Sequence, residues 1–419
     1  MGLQDYFIRP DTIEHIRSSW IGPAIEKYVD WLSQNQYAAR NVWRRVPLLM
    51  RFGEFARAFG ASRLTDLPQH VDGFVNQYAA ERLHLKQPRS RFTLEARNPV
   101  EQMLRLVVHG FECSRSRKHP EPFKKQAPRF FEYLRRERGL SEMTICGYRI
   151  QLRMLEKYVA KVRITTLRDI TPLIISAFIT DRGRKQGKKA MKVTCATLRS
   201  FFRYAHRQQL IRRKLADAVE SPRTYRLADL PRAITWDEVH RMLAVVDRRT
   251  SVGKRDYAIL VLLVTYGLRA REVAALRLEN IDWRRAQLHV VGRKADHSAT
   301  YPMARTIGDA LVDYLKHGRP KSAERSVFLR ALAPHCGMTF ASVAQRVKSY
   351  LRKAGIGVPR PGSHTLRHTC VQRLVDADLP LKTIGDYIGH RVPESTQVYA
   401  KVALQPLREV AFGDVEKIL

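Results

Sequence analysis

The sequence predicts a mainly α-helical chain with one small antiparallel β-sheet in its last domain. Two N-terminal helical bundles are expected to precede that domain. Three observations lead there. Apolar residues recur three, four or seven positions apart over two long N-terminal stretches, as on the buried face of a helix. The pattern of the first stretch returns 103 residues later. β-Branched and aromatic residues gather in short runs between Ile281 and Met303, bounded by turn residues. At 419 residues and roughly 150 residues per domain, about three domains are expected, at 1–114, 119–222 and 233–419. The apolar fraction of 44% is sufficient for real cores.

The repeat places Tyr28 on Phe131, Trp31 on Leu134, Val42 on Ile145, Leu49 on Leu152 and Phe52 on Leu155. It continues with Phe55 on Tyr158, Leu64 on Leu167, Asp66 on Asp169 and Val71 on Ile174. Each copy reads as a helix, a turn, a longer helix, and a short loop into a further helix. Thr65-Asp66 and Asp169-Ile170-Thr171-Pro172 supply the turn and helix-start residues. A single offset shared by the helices and the loop between them points to duplication. The basic segment Arg115–His119, followed by Pro120, Pro122 and Pro128, reads as a linker. A second basic run, Arg182–Lys189, precedes a helix carrying Leu198, Phe201, Phe202 and Tyr204. Another linker spans about 220–232. Beyond Ala233, Thr235-Trp236-Asp237-Glu238 is a helix start with an acid three residues after the cap. The apolar run Tyr257–Leu268 predicts a buried helix ended by Gly267 and is too short to span a bilayer. Strands are expected at 281–283, 287–291 and 299–303, with helices again from Ile307.

Lys and Arg number 75 against 40 Asp and Glu, a net charge of +35. Such a surplus calls for a polyanionic partner: nucleic acid first, an anionic membrane surface second. The basic residues lie in and between domains, not along one amphipathic helix, which favours nucleic acid. The five cysteines are scattered, odd in number and without a Cys-x-x-Cys pair, as in a protein with reduced thiols. The first ten residues carry Asp5 and Arg9 and have no apolar signal core, so a cytoplasmic and not a secreted protein is expected. The last domain has no His-Glu-x-x-His, no Cys/His cluster and no Walker loop. No metal or nucleotide cofactor is therefore expected.

Six residues of the last domain stand out in order. Arg269 follows the apolar helix in Gly267-Leu268-Arg269-Ala270-Arg271-Glu272. Lys294 sits in the turn Gly292-Arg293-Lys294 between two expected strands. His364 and Arg367 lie three apart, on one helical face. His390 follows Gly389, and Tyr399 comes nine residues later. Singly, each has an ordinary explanation: Arg269 paired with Glu272, His364 in the core, Tyr399 packing a helix. Together, in this order and spacing, they resemble the tyrosine recombinases, or phage integrase family. The resemblance covers 233–419. The second helical copy is similar to that family's SAM-like core-binding domain, and the first is an extra module of the same type.

The resemblance implies a site-specific DNA recombinase that cleaves and religates double-stranded DNA at specific sites through a 3′-phosphotyrosine on Tyr399. It implies a tetramer on DNA, of this chain or with related recombinases, and no membrane partner. The chemistry is consistent residue by residue. Arg269 and Arg367 suit the non-bridging phosphate oxygens, because guanidiniums stay charged and bind bidentately. A phenol needs a base or a cationic site to attack, and His364 is the candidate. The leaving 5′ oxygen needs a proton, for which Lys294 is a better acid than Arg293. His390 is expected to hydrogen-bond the phosphate. Glu272 is expected to orient its neighbours, and Arg271 and His368 to be structural or DNA-facing. Apolar residues between Val402 and Ile418 suit a tail that packs on its own domain or, as in similar recombinases, on a neighbouring protomer. A type IB topoisomerase and a non-catalytic DNA-binding protein are the alternatives.

Overall fold

The computed structural model describes residues 2–82, 84–85, 88–111, 120–223, 233–291 and 298–389. The chain divides into two compact units, one formed by residues 1–111 with 229–419 and the other by 112–228. Among the described residues, five α-helices make the N-terminal bundle: α1 (Pro10–Ser18), α2 (Gly22–Gln34), α3 (Ala39–Ala58), α4 (Leu67–Ala80) and α5 (Arg89–Val107). Tyr28, Val42, Leu49, Phe52 and Val100 are among its fully buried residues. Among the described residues, four α-helices make the second unit: α6 (Phe130–Arg136), α7 (Glu142–Lys161), α8 (Pro172–Lys185) and α9 (Lys188–Arg207). Its core contains Phe130, Ile145, Leu152, Leu155, Phe201 and Phe202.

The duplication read from the sequence is visible in the backbone. α3 and α7 begin and end 103 residues apart, as do the short 3-10 turns Leu64–Asp66 and Leu167–Asp169. Left-handed residues recur at the same offset: Gln36 (φ 58°) with Gly139 (φ 55°), and Gly60 (φ 90°) with Arg163 (φ 61°). Each of these follows a helix and reverses the chain. The register shifts after the third helix of each copy, because residues 81–88 join α4 to α5 whereas two residues join α8 to α9. The basic run 182–189 therefore occupies the last turn of α8 and the first turn of α9.

The remaining residues of the first unit build a third core. α10 (Trp236–Ala244) opens with the expected capping box: Glu238 N–H donates to Thr235 Oγ1 at 3.2 Å and Thr235 N–H to the Glu238 carboxylate at 2.9 Å. α11 (Ser251–Tyr266) starts six residues before the apolar run, where Gly253 N–H donates to Thr250 Oγ1. A Cβ at Gly253 would lie 1.9 Å from the Asp247 carbonyl oxygen, so only glycine fits there. Arg255 and Asp256 enter the buried part of α11 as a pair, at 2.8 Å. Arg255 also donates to the Leu329 carbonyl (3.0 Å) and Tyr350 to Asp256 (3.1 Å), so the buried charges are satisfied. Burial, and then the Asp256 carboxylate, push the Tyr350 hydroxyl up to about 12. After α12 (Ala270–Ala275) come β1 (Ile281–Asp282), β2 (Gln287–Val290) and β3 (Ala299–Pro302). They form one antiparallel sheet in the order β1-β2-β3, with Leu288 opposite Ile281 on one side and Tyr301 on the other. α13 (Arg305–His317), α14 (Phe340–Lys353), α15 (Ser363–Asp376) and α16 (Leu381–Ile388) follow. Residues 318–339 hold only isolated bridges, where sustained helix was expected. Among the described residues no helix is long and apolar enough to cross a membrane.

Candidate active site

Two helix C-termini meet at the site. α11 ends at Gly267 (φ 58°, ψ 27°) and α16 at Gly389 (φ 67°, ψ 51°), both in the left-handed conformation that glycine tolerates best. Side-chain space also matters at Gly267, where a Cβ would come within 3.2 Å of Cys370 Sγ and Ile388 Cγ2. The last carbonyls of a helix have no intrahelical donors and carry the negative end of its dipole. Here those carbonyls hold guanidiniums. Arg367 donates through Nη1 to the Gly267 carbonyl (2.5 Å) and through Nη2 to the Ile388 carbonyl (2.8 Å). Arg269 donates through Nη2 to the Gly389 carbonyl at 3.2 Å.

Arg269 is fixed from its other side by Glu272. That buried carboxylate accepts the Arg269 backbone N–H (2.8 Å) and Nη1 (2.8 Å), capping α12 and orienting the guanidinium together. The ordinary reading of Arg269 as a partner of Glu272 and the functional reading are thus compatible. Arg367 sits within the first turns of α15, 4% exposed. A charge so buried is tolerable because carbonyl oxygens surround it.

His364 lies one turn before Arg367 on α15 and keeps an exposed edge. Desolvation by the surrounding protein, then the charges of Arg367 and Arg269, hold its imidazole below the ordinary histidine value. It is therefore neutral at pH 7 and competent to accept a proton. The His368 ring is 6.5 Å away. Behind Arg367, Cys370 is buried and donates to the Thr265 carbonyl at 3.3 Å; burial pushes its thiol up to about 12.

Of the six residues singled out in the sequence, the structure brings Arg269, His364 and Arg367 together. Lys294, His390 and Tyr399 lie outside the described residues, as do Arg293 and the apolar tail. The tyrosines around the α16 terminus, Tyr266, Tyr301 and Tyr387, carried no sequence signal, because isolated tyrosines next to apolar runs read as packing residues.

Comparison with known proteins bears on the family of the chain. Residues 232–405 match the Phage integrase family, and residues 127–209 match the Phage integrase, N-terminal SAM-like domain. The chain is 33% identical over 294 residues to a putative integrase/recombinase, y4rA, of Sinorhizobium fredii, covering 70% of this chain and 71% of that protein. It is 28% identical to the tyrosine recombinase XerD of Listeria monocytogenes, over 67% of this chain and 95% of that one. Among solved structures, a lambda integrase tetramer bound to a Holliday junction superposes with a TM-score of 0.53 at 17% identity. It covers 66% of this chain and 76% of that one. The chain belongs to the phage integrase family and is a tyrosine-type site-specific DNA recombinase.

Proposed function

We propose that this recombinase breaks a DNA strand by attack of the Tyr399 hydroxyl on a phosphodiester, forming a 3′-phosphotyrosine and releasing a 5′ hydroxyl. A 5′ hydroxyl from a partner duplex then attacks that linkage and restores Tyr399. One phosphoester bond is exchanged for another at each step, so the reaction draws on no ATP. Arg269 and Arg367 bind the non-bridging oxygens, His364 takes the proton from Tyr399, and Lys294 supplies one to the leaving 5′ oxygen. His390 hydrogen-bonds the phosphate. The observation that carries this reading is the pair of guanidiniums held by helix-terminal carbonyls beside a neutral histidine. Charges fixed before the reaction stabilise a developing anion without reorganising. Double-stranded DNA with specific sites is the substrate. The lambda integrase likeness supports a tetramer as the working assembly, of this chain or with related recombinases. A cytoplasmic, nucleoid-associated location follows from such a substrate.

A nicked substrate that traps the covalent step tests the reading. Tyr399→Phe should abolish the denaturation-resistant adduct and leave DNA affinity nearly unchanged, since phosphate contacts dominate affinity. An adduct that persists in the Phe variant removes Tyr399 as nucleophile. For the wild-type protein, cleavage should fall as the medium is acidified below the ordinary histidine value of about 6.5, because His364 stays neutral until then. An acid limb centred above that value would exclude His364 as the base.

A further inference from the structure

The end of α16 accounts for every one of its last carbonyls. The Gly389 N–H takes those of Gly385 and Asp386. Arg367 takes that of Ile388, and Arg269 takes that of Gly389. The remaining carbonyl, on Tyr387 between Asp386 and Ile388, accepts the Tyr301 hydroxyl, which reaches it from β3. The Tyr387 hydroxyl in turn donates to the Thr265 carbonyl near the end of α11, at 3.2 Å. Tyr301 packs against the other two rings of the cluster, tilted to Tyr266 at 4.8 Å and edge-on to Tyr387 at 5.2 Å. Tyr301 is 3% exposed, so a hydroxyl at that position requires a partner, and the backbone of α16 is that partner. Burial raises the Tyr387 hydroxyl well above its ordinary value, so it remains a donor at any working pH.

We propose that Tyr301 and Tyr387 are positioning residues for strand cleavage. They fix residues 387–389, whose carbonyls aim both guanidiniums, and so tie the β2–β3 hairpin to the phosphate-binding pair. The inference rests on reading Arg269 and Arg367 as the groups that bind the scissile phosphate. If Tyr301 loses its hydroxyl, the Tyr387 carbonyl loses its donor and the next two carbonyls lose an anchor. A displacement of about an ångström at reacting groups costs on the order of a hundredfold in rate. The ring packing survives, because phenylalanine fills the same space less one oxygen.

Full-length Tyr301→Phe should cleave a nicked substrate roughly tenfold to a hundredfold more slowly, with unchanged DNA affinity and a melting temperature close to wild type. The informative readout is a substrate whose scissile phosphate is a neutral methylphosphonate. Such a centre carries one less negative charge, so it depends less on the guanidiniums, and the Tyr301→Phe defect should shrink. Tyr387→Phe should behave in the same direction. Tyr266→Phe removes a hydroxyl from the same cluster, but one that donates to the Pro302 carbonyl at 2.7 Å and not to α16. It should cleave close to the wild-type rate. The positioning role is overturned if Tyr301→Phe cleaves normally, if its defect persists on methylphosphonate, or if Tyr266→Phe shows the same rescued defect. Arg269→Ala separates this from the underlying reading. Its defect should also shrink on methylphosphonate, and if Arg269→Ala cleaves ordinary DNA at the wild-type rate, the phosphate-binding assignment itself falls.

Discussion

Residues 120–223 carry 25 Lys and Arg against 9 Asp and Glu, whereas residues 1–111, folded over equivalent helices, carry 15 against 11. The two bundles keep their cores and differ in their surfaces. Val42 and Ile145, Leu49 and Leu152, and Phe52 and Leu155 are fully buried pairs at the same places on α3 and α7. In the first bundle acids meet many of the arginines: Arg44 with Glu95, Arg51 with Glu81, Arg97 with Asp72, and Arg17 with Glu26. In the second, nine acids cannot neutralise 25 bases, although pairs such as Arg135 with Glu142 form. The comparison shows that packing constrains the buried positions while the charge is free to change with the partner. A strongly basic surface suits a phosphate backbone, and a nearly balanced one does not. On charge alone, the second bundle is expected to contribute more to DNA affinity than the first.

The largest effects should come from the shared cores. Leu49→Ala and Leu152→Ala each remove a fully buried side chain and should each cost about 2–5 kcal/mol, measured by denaturant unfolding. A negligible cost at either position would break the structural equivalence of the two long helices.

Next in size is the electrostatic difference. A groove in the second bundle is lined by Arg138, Arg203 and Arg207 among tyrosines, and one in the first by Arg44, Arg45 and Arg91. Replacing Arg138, Arg203 and Arg207 by Ala should lower the salt dependence of DNA binding by about 3 in log–log slope, at about 0.9 per phosphate contact. Arg44→Ala with Arg91→Ala should leave the slope nearly unchanged. Arg45 is left out of that test because it donates to Tyr28 (2.8 Å) and Gln102 (2.9 Å) inside the bundle. Equal slopes for the two sets of variants would mean that both bundles face DNA.

The smallest effect concerns the matching left-handed turns. Gly60→Ala should destabilise by roughly 1 kcal/mol through backbone strain alone, since a Cβ there meets nothing within 4 Å. Arg163→Gly, at the equivalent turn, should relieve that strain and stabilise by several tenths of a kcal/mol. Thermal melting of the two variants reads the difference in sign, and shifts of the same sign would mean that the turns are not equivalent.

Much of this architecture was legible because helix burial follows a local period. The 103-residue repeat, the capping box at Thr235, and three strands matching the expectation to within one residue all come from short windows of sequence. The longer connection between α4 and α5 was less visible, because apolar spacing does not count loop residues. The start of α11 was also missed, since the charged Arg255 and Asp256 precede the apolar run and yet are buried as a pair.

By itself the sequence determined the order of Arg269, His364 and Arg367 and the one helix face that His364 and Arg367 share. Tertiary structure alone decided what holds the guanidiniums. Arg367 donates to a carbonyl 100 residues away and Arg269 to one 120 residues away. Burial of an apolar face depends on spacing along one helix and is nearly indifferent to direction. A hydrogen bond depends on distance and angle between atoms that only the packing of α11, α15 and α16 brings together.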